Sequence, residues 1–138
     1  MAEVFADTSG WAAYFVRTEA RHADASALIK RWQSRRTVVV TTNYVLAELV
    51  SLLVNRARVP HALRIEITDA IRTASWVDVV PIDPTLDDDA WDLLRQRPDK
   101  DWSLVDCASF VVMTRRGVVD ALTTDHHFEQ AGFTRLLK

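Results

Sequence analysis

The sequence predicts an α/β fold, a mostly parallel twisted sheet of four or five strands with helices on both faces. Three observations carry this. Short apolar or β-branched runs alternate with longer helical patterns along the chain, and that alternation favours parallel strands joined by helical crossovers. Only three glycines and four prolines interrupt it, with no linker, repeat or low-complexity tract. The 138 residues match a common domain size, so residues 1–138 are expected to form one domain around one core.

The elements follow in order. Val4-Phe5-Ala6 is a short apolar strand, and a short helix begins near Ser9 and covers Trp11 to Phe15. His22 to Arg35 is helical, with Ala27, Leu28, Ile29 and Trp32 supplying apolar contacts. Thr37 to Thr41 is β-branched throughout and reads as a strand. Asn43 opens a long helix over Tyr44 to Ala57. Pro60 stands where a helix can begin, and that helix runs to about Ser75. Val77 to Ile82 is a strand, placed at a sheet edge because Pro81 cannot donate to a ladder. Thr85 to Arg95 and Ser103 to Arg116 are helices, the second ending at Gly117. Residues 120–124 form a strand, and a short helix leads to Gly132.

Composition narrows the function. A hydrophobic content of 49% with 26% charged residues describes a globular protein. The single cysteine, Cys107, excludes an intrachain disulfide. It reads as a core residue of a protein in a reducing, cytoplasmic setting. No signal peptide or membrane span is expected. The formal charge of −2 gives no overall signature of nucleic-acid binding. Arginines do cluster, at Arg31, Arg35 and Arg36, at Arg56 and Arg58, and at Arg115 and Arg116. Each group stands near an expected helix C-terminus, where positive charge complements the helix dipole.

Four acids invite a chemical reading. Asp7 and Asp125 follow strands, on the rim where parallel sheets bind ligands. Either could instead cap the helix after it. Asp106 stands in a helix that is apolar almost all round, so its carboxylate is expected to be buried beside Phe110 and Met113. It could also complete a capping box with Ser103. Glu48 shares a narrow polar stripe with Tyr44, Ser51 and Asn55, which reads as a solvent-facing stripe or as the wall of a polar cleft. Asp87, Asp88 and Asp89 are expected in the first turn of their helix, where negative charge is favoured without any site.

Carboxylate oxygens are the hard donors that Mg²⁺ and Mn²⁺ prefer. Converging acids without an ion repel one another and take up protons. A divalent ion removes the conflict, polarises phosphoryl oxygens and activates water at neutral pH. An acid cluster on a sheet rim therefore suits phosphodiester hydrolysis. No glycine-rich phosphate loop competes with that reading.

The same residues resemble the PIN-domain ribonucleases. Asp7-Thr8-Ser9 resembles their opening motif, Glu48 matches the acid of their long helix, and Ser103-Leu104-Val105-Asp106 resembles their third acid. Thr124-Asp125-His126-His127-Phe128, with Gly132-Phe133, resembles their fourth. The match spans residues 4–133, and its size and ending are similar to the VapC-like toxins of type II toxin–antitoxin systems. The resemblance implies a PIN fold and a Mg²⁺- or Mn²⁺-dependent endoribonuclease acting through metal-activated water. It implies a homodimer and a VapB-like antitoxin, through which alone DNA would be contacted. It assigns Asp7, Glu48, Asp106 and Asp125 to the metal and catalytic site, with Thr8, Ser9 and Thr124 as supporting polar residues.

His126 and His127 could act as ligands or as an acid–base pair. Adjacent histidines on a loop point different ways, and the family's site is built of acids, so both are left outside it. His22 and His61 carry no motif. The five tryptophans are assigned to core or dimer packing rather than base stacking. Two rival functions remain, a PIN-fold RNA-processing or non-catalytic binding module and a Mg²⁺-binding phospho-receiver domain. The second expects a paired acid beside the first strand, whereas Asp7 stands alone there.

Overall fold

The computed structural model describes residues 2–138. Its strands are β1 (Glu3–Ala6), β2 (Val38–Thr42), β3 (Val77–Val80), β4 (Asp120–Leu122) and β5 (Thr134–Arg135). Its helices are α1 (Thr8–Phe15), α2 (His22–Ser34), α3 (Asn43–Asn55), α4 (His61–Thr73), α5 (Pro84–Gln96), α6 (Leu104–Arg116) and α7 (His127–Gln130). All pairings are parallel, in the order β3-β2-β1-β4-β5. The chain moves outward from β1 to β3, then returns to place β4 on the other side of β1. The switch point thus lies between β1 and β4. A crevice opens there at the carboxyl ends of the strands.

Several expected boundaries shift. Strands β3 and β4 end two residues early, at Val80 and Leu122. Pro81 therefore lies just beyond its strand, although β3 is an edge. The long helix α3 is capped by Thr42, whose side chain accepts the Val45 N–H. Asn43 instead accepts the Ile82 N–H at 2.7 Å, fastening the end of the edge strand. Helix α5 is capped by Asp83, and of the run Asp87-Asp88-Asp89 only Asp87 lies in the first turn. In α2, Ala25 is buried and Ala27 is exposed. Strand β5 carried no signal in the sequence, since two residues cannot display a period.

Core packing fixes the rim. Phe5, Trp11, Val39, Val40, Leu49, Leu53, Met113, Leu122 and Phe128 are fully buried. The Trp11 indole donates to the Thr41 hydroxyl at 3.1 Å, and that hydroxyl donates to the Ala6 carbonyl at 2.9 Å. This chain locks the end of β1 immediately before Asp7. Gly10 brings α1 against β4. A Cβ there would lie 1.9 Å from the Leu122 carbonyl oxygen, a clash with backbone that no rotamer relieves. Phe110 of α6 meets Phe128 edge to face at 5.0 Å, while Trp102 meets Phe110 edge to face as well and donates its indole N–H to Gln130 of α7. Helices α6 and α7 are thereby held together beside the crevice.

Trp11, Trp32 and Trp102 are buried, and Trp91 is 41% exposed. Cys107 is buried, and burial raises its thiol to about 11, which leaves it unreactive. Among the described residues, no helix is long and apolar enough to cross a membrane.

Candidate active site

Asp7 leaves β1 as a side chain only 4% exposed. It occupies the N-cap position of α1 without making the usual side-chain cap bond, so capping does not account for it. Its Oδ2 accepts the Thr123 hydroxyl at 3.0 Å, with the Ser9 hydroxyl at 3.4 Å. Burial raises the Asp7 carboxyl to about 7. The Thr8 backbone N–H opposes the rise, and the charges of Asp106 and Glu48 add to it.

Asp106 projects from the first turn of α6 and is 7% exposed. The capping box forms, with Ser103 Oγ accepting the Asp106 N–H and Asp106 Oδ2 accepting the Ser103 N–H, both at 3.0 Å. Capping and convergence on Asp7 coexist in this one residue. Burial raises its carboxyl too, and the Asp125 charge adds to the rise against the Ser103 N–H and His127.

Asp125 follows β4, and its Oδ1 accepts the His127 N–H at 2.9 Å. Glu48 reaches the cluster from α3, its Oε1 accepting the Thr8 hydroxyl at 2.6 Å. The structure thus brings together all four acids singled out in the sequence, from β1, α3, α6 and the end of β4. Tyr44 does not line the same wall. Its hydroxyl donates to Asp87 at 2.6 Å, toward α5. That bond and the ion pair between Asp89 and Arg115 occupy two of the three acids in the run Asp87-Asp88-Asp89.

The supporting residues are placed as follows. Thr8 is buried and holds Glu48. Ser9 Oγ accepts the Thr124 N–H and lies 3.0 Å from Thr123 Oγ1. The Thr124 side chain is exposed, and only its backbone joins this network. Thr123, passed over in the sequence, is fully buried. Its hydroxyl donates to Asp7 and accepts the Asp125 N–H.

His127 also enters the site. Its Nδ1 lies 3.2 Å from Asp106 Oδ2 and 3.3 Å from Asp125 Oδ1, bridging the two acids. His126 is exposed. Together with Asp125 these histidines offer ligand atoms within 4.8 Å of one another. The expected divergence of the adjacent rings is not seen: they lie 4.5 Å apart, tilted, and His127 turns inward onto the acids.

The donor set fits a hard divalent cation. Asp7 and Asp106 are buried oxygen donors with a raised affinity for protons, and no lysine or arginine is among the groups that shift them. A cation would take the place of those protons.

The PIN domain family model matches residues 4–134. The chain is 38% identical over 133 residues to the 23S rRNA-specific endonuclease VapC20 of Mycobacterium tuberculosis, strains CDC 1551 and H37Rv, covering 96% of this chain and 97% of that protein. It is a PIN-domain ribonuclease of the VapC toxin type. The crystal structure of M. tuberculosis VapC20, a sarcin–ricin loop cleaving toxin, superposes on this PIN domain with a TM-score of 0.83. That match has 36% identity and covers 95% of this chain and 96% of that one. The parallel sheet and flanking helices expected from the sequence are those of that fold. As a VapC-type PIN protein, it takes RNA as substrate and an antitoxin as partner.

Proposed function

We propose that this PIN domain hydrolyses RNA phosphodiesters with Mg²⁺ or Mn²⁺ held by Asp7, Asp106 and Asp125, and that Glu48 holds a second ion or orients water. The observation that carries this is the pair of buried carboxylates, Asp7 and Asp106, converging from β1 and α6 without a lysine or arginine among the groups that shift them. The bound ion supplies charge for the phosphoryl oxygens and an activated water. The chain's own residues supply the geometry. Thr123 and Ser9 orient Asp7, Thr8 orients Glu48, and His127 spaces Asp106 from Asp125. His127 is a positioning residue here, because its Nδ1 is already engaged by two acids.

The toxin is read as one domain over residues 1–138, acting in the cytoplasm as a homodimer. A VapB-like antitoxin restrains it and mediates any contact with DNA. The likeness to VapC20 supports a structured loop of ribosomal RNA as the first substrate to try.

End-group analysis of the cleaved RNA tests the mechanism. In-line attack by water leaves a 5′-phosphate and a 3′-hydroxyl, and chelator stops the reaction. A 2′,3′-cyclic phosphate formed in excess chelator would instead mean that the ribose hydroxyl attacks and that a histidine does the proton transfer. Thermal melts provide a second check. Saturation at a hundredfold excess over the dissociation constant stabilises the fold by about 2.7 kcal/mol. Equal responses of wild type and Asp106→Asn would place the metal elsewhere.

A further inference from the structure

A cleft of about 370 Å³ opens directly beside the acid site. Ser9 and Thr124 line it, and the same two residues are joined by the Thr124 N–H to Ser9 Oγ bond behind Asp7. The cleft and the acids therefore share a wall. The other side of the cleft has opposite electrostatics. Arg21, Arg56, Arg135 and Lys138 line it, against the single acid Glu19. These four cations come from three separate parts of the chain, on a protein whose formal net charge is −2. Helix-end complementarity does not account for the gathering. Arg56 reaches across to Glu19 at 2.5 Å, and Arg135 is braced by its bond to the Thr124 carbonyl at 3.0 Å and by Glu129. Lys138 shares Glu129, and Arg21 has only a 3.8 Å contact with Asp24.

We propose that this cleft binds the RNA backbone next to the scissile bond, with Arg21 and Arg56 as its phosphate contacts and Glu19 as an internal competitor that occupies Arg56 until RNA displaces it. The proposal rests on the nuclease reading above and names where that site takes its substrate. A polyanion placed with one phosphate at the acid cluster must lay its next phosphates within a nucleotide or two. The acids repel those neighbours, and the adjoining cations are the groups that attract them. Arginine suits the task through its planar, bidentate donors. Arg56 already donates one guanidinium N–H to the Glu19 carboxylate, which a phosphate oxygen can replace. Arg135, held by Thr124 and Glu129, fixes the wall of the cleft.

The ion pair makes the test discriminating. If Glu19–Arg56 is only a strut between the α1–α2 connection and α3, removing either partner has the same effect. If it is a competitor for RNA, the two removals act in opposite directions. Fluorescence anisotropy of a labelled stem-loop RNA carrying the sarcin–ricin sequence is measured in chelator across a salt series. Wild type, Arg56→Ala, Arg21→Ala/Arg56→Ala and Glu19→Gln are compared, with melting curves to verify folding. The double variant is expected to bind on the order of tenfold more weakly, and its salt slope to fall by about 0.7 per lost contact. Glu19→Gln is expected to bind more tightly than wild type. No RNA binding by wild type, unchanged affinity in the variants, or a shift of the same sign for Arg56→Ala and Glu19→Gln would overturn the proposal. Cleavage by wild type with Mn²⁺, run in parallel, judges the nuclease reading separately.

Discussion

Strand β1 presents an acid at each end, and the two are held in opposite electrostatic states. Glu3, at its start, is paired with Arg116, which holds its carboxyl below the usual range. Asp7, just past its end, is buried beside other acids and is raised to about 7. Helix α6 repeats the contrast. Its last turn carries Arg115 and Arg116, matched by Asp89, Glu3 and Asp78. Its first turn carries Asp106, faced by Asp125 and by one histidine. At the compensated end, charge costs little and does structural duty. At the uncompensated end the fold tolerates repulsion, and such tolerance marks a site that awaits a cation.

The strongest break in this contrast is to neutralise the uncompensated end. Asp7→Asn and Asp106→Asn are near-isosteric and are each expected to lower RNA cleavage by at least about 10³-fold, the loss of several kcal/mol of electrostatic stabilisation. Single-turnover assays on folded protein check this. Cleavage near the wild-type rate by either variant refutes the acid site.

Gly10→Ala attacks the same end sterically. The added methyl meets the Leu122 carbonyl, so α1 must move away from β4, carrying Asp7, Thr8 and Ser9 with it. A destabilisation of ~3 kcal/mol or more is expected, read from denaturant midpoints, with activity lost even where the protein still folds. Wild-type stability in this variant would mean that α1 does not approach β4 as described.

The third effect is a gain. Folded Asp7 titrates near 7, against 3.8 ordinarily. The unfolded chain therefore ionises first, and the folded state binds more protons between those values. Metal-free stability should fall as pH rises from about 4 to about 7. Asp7→Asn removes that loss, so the variant should exceed metal-free wild type by roughly 2–3 kcal/mol at pH 8 and by little at pH 4. Paired melts at the two pH values decide it, and an Asn variant less stable at pH 8 contradicts the assignment.

Glu3→Gln probes the compensated end and gives the smallest effect. The Glu3–Arg116 pair is partly exposed, so the expected cost is ~0.3–1 kcal/mol at pH 7. Because the folded pKa of Glu3 is lowered, its stabilisation is present above the unfolded value and fades as pH falls through the folded one. RNA cleavage should not change. A marked drop in activity would show that the two ends of β1 are coupled.

The acids were legible in the sequence because each broke a local rule. Asp106 is a charge in a helix apolar on nearly every side, and Asp7 and Asp125 stand where strands stop. Their supports were harder to read. The family resemblance points to Thr124, and a three-residue strand is too short for side-chain parity to correct it, whereas the buried hydroxyl beneath Asp7 belongs to Thr123. His127 is set apart from His126 by its contact with Asp106, 21 residues away in the chain, a tertiary fact. Tyr44 shares a helical stripe with Glu48, yet its partner Asp87 is 43 residues away. Similarly, each arginine cluster fits a helix end by sequence. The gathering of Arg21, Arg56 and Arg135 in one cleft is visible only once the strands are ordered.

The strand order also sets a clock. Asp7 is oriented by Thr123, 116 residues later in the chain, and Asp125 lies beyond that. At a synthesis rate of ~5–20 residues per second, roughly 6–23 s pass between the making of those two residues. Throughout that interval β1 can pair with β2, but the β4 side of the crevice, with Thr123 and Asp125, is missing. Parallel pairing across so long a loop is also slow to form. The four acids can therefore stand together only after the chain has been made past Asp125.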